Sequence, residues 1–334
     1  MTLPTAGPVL VMGAGSVGCY VGGLLQAAGA KVRFVARPRV LAELRQHGLK
    51  LSDLDARNAQ INHAQLELLE APAAPAALVL LCVKSGATAG AALELAATLA
   101  PGTPVLSLQN GVANAETGAQ AAPGLKWLPG MVAFNVAELA PGHFHRGTGG
   151  GLAAQDDAAL QAWLPAFAAA GLPLALHDDL RPVQWGKLLM NLNNPVNALS
   201  GLPLRAQLLD RDCRCVLAAL QAEALAAMRA AGIEPARVGA LPPRWGPPVL
   251  RLPNWAFERM AARMLRIDDR ARSSMADDLA LGRPTEVDAF CGAVLRLAQA
   301  HGRAAPRNAR MLALLSVPKP VPIGGRALRQ VLGV

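Results

Sequence analysis

Aromatic residues make up only 4% of the 334 positions, with a single tyrosine. Base-stacking platforms are therefore scarce, and nucleic-acid binding is not expected despite a formal net charge of +9. Lysine is also rare. Lys31, Lys50, Lys84, Lys126, Lys187 and Lys319 are the only lysines among 32 basic residues. The arginine and alanine excess reads as compositional bias, and a basic balance also suits small anionic ligands. Arg259, Arg263, Arg266 and Arg270 would share one helical face. They read as a solvated face or subunit contact, with an anion-steering rim as the functional alternative. No apolar run approaches ~18 residues, so no membrane-spanning helix is expected. Residues 1–7 have neither the basic nor the apolar region of a signal peptide. The five cysteines are odd in number and scattered, which implies no disulfide framework. Cys213 and Cys215 form a lone C-x-C, and His143 and His145 read as loop residues, so no metal site is expected. A cytoplasmic location follows from these absences.

What is present suffices for large cores, since 52% of residues are apolar and 16% charged. The length suggests two domains. Pro8–Met12 is a short apolar run that predicts a buried strand. Gly13-Ala14-Gly15-Ser16-Val17-Gly18 follows, then an apolar helix to about Ala28 and a second strand over Lys31–Ala36. Strand, glycine turn, helix and strand within about 30 residues make a βαβ unit. Further strands are expected at Ala77–Val83, Pro104–Leu108, Gly130–Val136, 143–155 and 173–177, and helices at Val40–Gly48, Ala87–Leu99 and Asp156–Ala170. From about Leu180 the pattern becomes helical: Gln184–Leu199, Ala206–Ala231, Trp255–Asp269, Arg272–Leu281 and Thr285–His301. The proline-rich stretch 240–253 reads as irregular. The expected fold is an α/β Rossmann-type doubly wound sheet over 1–180, followed by an all-α domain over 181–334.

A G-x-G-x-x-G pattern acquires meaning from its setting between a strand and a helix. Gly13 would permit the tight turn, Gly15 the approach of a pyrophosphate, and Gly18 close helix–strand packing. The first helix would then offer its N-terminal N–H groups to the phosphates, beginning at Ser16 and Val17, with Ala14 in the loop. An NAD site would place Asp or Glu at the end of the second strand. Here the residues are Ala36-Arg37-Pro38-Arg39. An arginine fork suits a 2′-phosphate, so Arg37 points to NADPH/NADP, with Arg39 as an assistant or a solvated residue. Lys84 follows a strand at the carboxyl edge of the sheet, within reach of the adenosine phosphate or ribose, or simply at the surface.

Taken with Leu108-Gln109-Asn110-Gly111, Trp185-Gly186-Lys187-Leu188-Leu189-Met190-Asn191, Ser273-Ser274-Met275 and Arg283-Pro284-Thr285-Glu286-Val287-Asp288, the glycine loop resembles the ketopantoate reductase (2-dehydropantoate 2-reductase) family. The motifs occur in family order. The resemblance implies a Rossmann domain followed by a helical domain, with the substrate in the cleft between them. It implies NADPH-dependent reduction of a 2-keto acid, most closely 2-dehydropantoate to pantoate. It also implies that Asn110 lies between nicotinamide and substrate, that Lys187 donates the proton, that Asn191 and Asn194 hold substrate oxygens, and that Ser274 binds the substrate carboxylate.

The residues' own chemistry is compatible. Ketone reduction by hydride needs a proton donor and an anchor for the carboxylate. Lys187 lies in an apolar helical stretch, where a lysine's pKa falls. Asn191 and Asn194, at i+4 and i+7, would share its helix face. Glu286 follows Pro284 in an expected first helical turn, either satisfying the helix dipole or orienting Lys187 and the substrate hydroxyl. Asn193, Asn194 and Asn197 all remain open as the second asparagine contact. A different 2-keto acid is one rival reading, and a non-catalytic NADP(H)-binding protein another. The latter would have no reason to keep both Lys187 and Glu286. Apolar faces in the helical half are compatible with a homodimer.

Overall fold

The computed structural model describes residues 7–238, 241–262, 265, 268–269 and 271–334. Two compact units, Met1–Leu180 and Arg181–Val334, make up the chain. In the first, elements follow one another as β1 (Val9–Met12), α1 (Ser16–Ala27), β2 (Val32–Val35), α2 (Pro38–His47), β3 (Leu49–Asp53), β4 (Asn58–Ile61), β5 (Glu67–Leu69), β6 (Leu78–Leu81), α3 (Thr88–Thr98), β7 (Pro104–Ser107), α4 (Asn114–Ala121) and β8 (Lys126–Val132). β9 (Val136–Ala140), β10 (His143–Arg146), β11 (Leu152–Gln155), α5 (Ala158–Gln161), α6 (Leu164–Ala169) and β12 (Leu174–His177) complete it.

The main sheet has the order β12-β11-β8-β7-β6-β1-β2-β5. From β5 through β8 every pairing is parallel, whereas β11 runs antiparallel to β8. The parallel part is the doubly wound Rossmann order, in which the strand order reverses between β1 and β6. Alternation along β1 explains its unbroken apolar run. Val9 and Val11 pack on the α1 side with Phe34 and Leu80, while Leu10 and Met12 face Ala91, Ala92 and Leu95 of α3. Both faces of a parallel sheet are covered, so neither set of side chains can be polar.

A second sheet, β4-β3-β10-β9, was not among the expected elements. It packs against α1, where Gly23 lies on Leu49 and Leu51 of β3 while Gly22 lies on Val11 of β1. Its presence corrects two readings. The strand expected at Gly130–Val136 is β8, ending at Val132, with β9 starting at Val136. The strand expected over 143–155 is divided into β10 and β11, so His143 and His145 lie on a strand rather than in a loop, with His143 Nε2 and His145 Nδ1 each 2.9 Å from Ser52 Oγ. The helix expected over Asp156–Ala170 is divided into α5 and α6.

Among the described residues the second unit has helices and no strand. These are α7 (Arg181–Asn191), α8 (Asn193–Ser200), α9 (Leu204–Leu209), α10 (Arg211–Ala230), α11 (Gly246–Leu250), α12 (Asn254–Met260), α13 (Ser274–Ala280), α14 (Ala293–Ala300), α15 (Pro306–Leu315) and α16 (Gly325–Leu332). Several expected helices are interrupted for identifiable reasons. Pro195 has no N–H for the Asn191 carbonyl, and the helix breaks at Leu192. Asp210, in an extended conformation, caps α10 by accepting from Asp212 and Cys213 N–H groups, which separates α9 from α10. α12 ends at Met260, and Arg263, Arg266 and Arg270 of the expected basic face lie outside the described residues. The stretch 240–253 is only partly irregular, since it forms a 3₁₀ turn at Pro243–Trp245 and then α11. No described helix is long and apolar enough to cross a membrane.

Candidate active site

The glycine loop lies at the carboxyl end of β1. Gly13 has φ +102°, a conformation that favours glycine, and a Cβ there would meet Val83 N at 2.7 Å. A Cβ on Gly18 would collide with Gly13 O and with Val11 Cγ1 at 2.9 Å, so helix and strand pack at backbone distance. Gly15 differs, because a Cβ there would meet nothing within 4 Å. Its Cα faces open space at the start of α1, a helix with no side-chain cap and no acidic residue in its first turn. Ala14 is buried beneath the loop, and Ser16 and Val17 open the helix. Uncapped N–H groups beside an open glycine fit the pyrophosphate of a dinucleotide.

Arg37 sits at the end of β2 as the N-cap residue of α2, exposed, with no described partner for its guanidinium. Arg39 is engaged with Glu43 at 2.5 Å. That pairing favours the solvated reading of Arg39. Lys84 is exposed one residue ahead of the 3₁₀ turn Ser85–Ala87, beyond the end of β6. Asn110 is half-buried beyond β7, and its carbonyl accepts from Ser85 Oγ at 2.9 Å and from Asn114 Nδ2 at 2.6 Å. Gly13, Lys84 and Asn110 thus follow three adjacent strands, β1, β6 and β7, at one edge of the sheet.

In the second unit, Lys187 lies on α7, partly buried between Gly186 and Leu188. Burial pulls its ammonium down to about 8, while the charge of Glu286 acts in the opposite direction. Helix α7 reaches this packing through Gly186, where a Cβ would meet the Ala236 carbonyl oxygen and Val238 Cγ2. The segment carrying Ala236 is pinned by its N–H to Pro182 O at 2.8 Å. Glu286 is half-buried in the irregular stretch 283–286, just before a π-helical turn at Asp288–Gly292. It therefore precedes the helix and does not occupy its first turn as expected. Residues 283–286 have no regular secondary structure, so the helix begins after Pro284 and Glu286 rather than at Pro284.

The asparagines separate. Asn191 shares α7 with Lys187, one turn later, whereas Asn194 lies beyond the break at Leu192 and so does not continue the same helix. Asn197 is fully buried and used at both ends: Nδ2 donates to Leu202 O at 2.8 Å, and Oδ1 accepts from Ser273 N at 3.0 Å. Asn193 Oδ1 is buried with no hydrogen-bond partner. Asn194 O accepts from Ser273 Oγ at 3.4 Å. Ser273 caps α13 by accepting from Ala276 N, which leaves Ser274 exposed as the first residue of that helix. Asp278, one turn further, is buried.

Composition and spacing assigned no part to Ser85, Thr88, Asn114 or Gly186. Gln109 and Gly186 fall inside family-like motifs, Leu108–Gly111 and Trp185–Asn191, but neither had a role of its own. Several of their contacts join residues more than 20 positions apart, as with Gln109 and Thr88 at 21 and Ser85 and Asn110 at 25, and local patterning carries no such signal.

Comparison with known proteins decides the family. The model of ketopantoate reductase PanE/ApbA matches residues 9–157, and that of its C-terminal domain matches residues 179–319. The chain belongs to the ketopantoate reductase family. It is an oxidoreductase of the 2-dehydropantoate 2-reductase type. The 2-dehydropantoate 2-reductase of Halobacterium salinarum is 29% identical over 308 residues, covering 89% of this chain and 94% of the relative. The crystal structure of a ketopantoate reductase from Ralstonia eutropha JMP134 is 30% identical, with a TM-score of 0.78 over 98% of this chain and 100% of that one. The ternary structure of D-mandelate dehydrogenase with NADH and anilino(oxo)acetate shares the fold, with a TM-score of 0.74 at 17% identity over 98% and 100% of the two chains. Family and fold agree with the ketopantoate reductase resemblance in the motifs and with the Rossmann-plus-helical architecture expected from the pattern.

Proposed function

We propose that this ketopantoate reductase family member reduces a 2-keto acid to the 2-hydroxy acid with NADPH, with 2-dehydropantoate as first substrate and pantoate as product. The first unit holds the cofactor: Gly13, Ala14, Gly15, Ser16, Val17 and Gly18 receive the pyrophosphate, and Arg37 pairs with the 2′-phosphate. Lys84 contacts the phosphate or ribose on the adenosine side, and Asn110 touches both nicotinamide and substrate. When bound, the reduced nicotinamide supplies the hydride.

The proton comes from the second unit. Lys187 carries the reading, because its ammonium is drawn to about 8 by burial and so is protonated at neutral pH yet acidic enough to donate. It protonates the developing alkoxide, and the carboxylate of Glu286 keeps the ammonium charged and oriented. Asn191 and Asn194 hold substrate oxygens, and the hydroxyl of Ser274 binds the carboxylate. Asn197 is assigned no substrate contact in this reading, because it is buried and both ends of its amide are bonded within the protein.

A second reading keeps the mechanism and changes the substrate. The same fold carries a D-mandelate dehydrogenase, solved with NADH and anilino(oxo)acetate. NADPH and NADH oxidation measured against a panel of aliphatic and aromatic 2-keto acids tests both. Turnover of 2-dehydropantoate with NADPH is expected. Turnover confined to another acid would move the substrate, preference for NADH would overturn the role of Arg37, and cofactor binding with no turnover would favour the non-catalytic reading.

A further inference from the structure

Four polar side chains are buried together at the carboxyl edge of the main sheet: Thr88 is 0% exposed, Ser107 3%, Gln109 6% and Asn114 8%. Their hydrogen bonds form one connected set. Gln109 Nε2 donates to Val83 O at 2.9 Å and to Thr88 Oγ1 at 2.8 Å, and Gln109 Oε1 accepts from Ser107 Oγ at 3.0 Å. Thr88 Oγ1 in turn donates to Asn114 Oδ1 at 3.3 Å. Asn114 Nδ2 donates to Asn110 O, which also accepts from Ser85 Oγ.

The donor inventory admits one arrangement. Both hydrogens of the Gln109 amide and the single hydrogen of Thr88 are used, each once. Turning the Gln109 amide over would set its oxygen against the Val83 carbonyl. A fully satisfied buried network of this kind rigidifies what it joins. Here it joins two loops. Val83 immediately precedes Lys84 after β6, and Gln109 immediately precedes Asn110 after β7. Apolar side chains of similar volume would fill the same space without desolvating four polar groups, so packing alone does not account for these residue types.

We infer that Gln109 and Thr88 are positioning residues, which through this buried network hold the loop before Lys84 and the loop before Asn110 at a fixed separation and so set the spacing between the adenosine-side and nicotinamide-side contacts of the cofactor. The inference rests on the reading of Lys84 and Asn110 as cofactor-contacting residues. Neither Gln109 nor Thr88 needs to touch the cofactor. Their effect reaches it through the backbone of the residues that follow.

The test compares Thr88→Val, which keeps the shape and removes both hydrogen bonds, with Thr88→Ser, which keeps the hydroxyl. The Kd for NADPH or NADH, whichever the wild type binds, is read by fluorescence, and kcat and KM are read with the best substrate of the panel. A misplacement of about 1 Å at a reacting centre costs on the order of 10²-fold. Thr88→Val should therefore lower kcat by roughly 10- to 100-fold and raise the cofactor Kd several-fold. Thr88→Ser should stay within about twofold of the wild type, since it retains the bonded hydroxyl. A Thr88→Val protein with a lowered melting temperature but wild-type Kd, KM and kcat would overturn the inference and leave Thr88 a purely structural residue. Ser85→Ala, on the half-buried loop, removes one of the two donors to Asn110 O and serves if Thr88→Val does not fold. Wild-type values there would overturn the inference equally. Should no 2-keto acid be turned over, the reductase reading fails by itself, and the cofactor Kd of the variants still decides the role of the network.

Discussion

Asn197 and Ser273 are joined by a buried hydrogen bond in which the Ser273 N–H donates to Asn197 Oδ1 at 3.0 Å. Through it, α8 fixes the residue that caps α13, and the other end of the Asn197 amide closes the turn at Leu202. Asn194, three positions earlier, is half-buried and lends only its backbone carbonyl to Ser273. The two asparagines should therefore fail differently. Asn197→Ala strands a buried donor and a buried acceptor partner and should destabilise the protein by about 2–4 kcal/mol, seen in denaturant unfolding. Asn194→Ala should leave the unfolding midpoint near wild type and lower kcat/KM by roughly 5- to 150-fold, the equivalent of losing one buried hydrogen bond to substrate.

The glycines of the loop make a second contrast. A methyl group on Gly18 has no room, because it would meet the Gly13 carbonyl oxygen and Val11. Gly15 has open space around it. Gly18→Ala should lower the melting temperature by several degrees, as about 1–3 kcal/mol of overpacking does in a core. Gly15→Ala should fold with wild-type stability and bind NADPH at least tenfold more weakly, because the methyl group occupies the approach of the pyrophosphate. Melting curves together with cofactor titrations separate the two.

On the proposed NADPH reading, cofactor choice rests on Arg37, which is exposed just beyond β2. Arg37→Ser should raise the Kd for NADPH by roughly 10- to 150-fold, as the loss of a charge-assisted pair worth about 1.5–3 kcal/mol requires, and leave NADH binding within about twofold. Equal weakening of both cofactors would show that Arg37 supports the loop and does not read the 2′-phosphate.

The glycine turn and the strands beside it were legible because their signals are local. Four apolar residues, a G-x-G-x-x-G and an apolar helix stand next to one another in the sequence, and the same residues supply the fold. The second sheet was hidden for the opposite reason. β3 pairs in parallel with β10, some 90 residues away, and the edge strand β4 is mostly unburied, so the one local signal, the Pro141-Gly142 turn between β9 and β10, does not by itself announce a second sheet. At the site, Lys187 stood out by its apolar helical setting, and it and Glu286 were drawn out by the motifs that resemble the family. Burial was needed to part Asn197 from Asn193 and Asn194, since counting along a helix treats three asparagines alike. The break ahead of Pro195 was written in the sequence, but the apolar spacing on both sides obscured it.

Burial of Lys187 also has a thermodynamic signature. Its folded-state value of about 8 lies below the ordinary 10.5, so between these values the unfolded chain holds a proton that the folded chain has lost. Stability then rises with pH across that window. Wild type should gain on Lys187→Met between about pH 8 and pH 10.5 and show no such gain below pH 8, as followed by denaturant unfolding at each pH. A constant difference would place the amine in bulk water.

The proton-donor role of Lys187 is tested most directly by the pH dependence of kcat for reduction, in wild type and in Glu286→Gln. A donor must be protonated, so wild-type kcat should fall as pH rises through about 8. Glu286 holds the ammonium in its charged form, so its neutralisation should move that fall to lower pH, and Lys187→Met should lower kcat by ~10²–10⁴-fold. A rate that stays level to pH 10, or a decline that Glu286→Gln leaves in place, would contradict proton donation from Lys187.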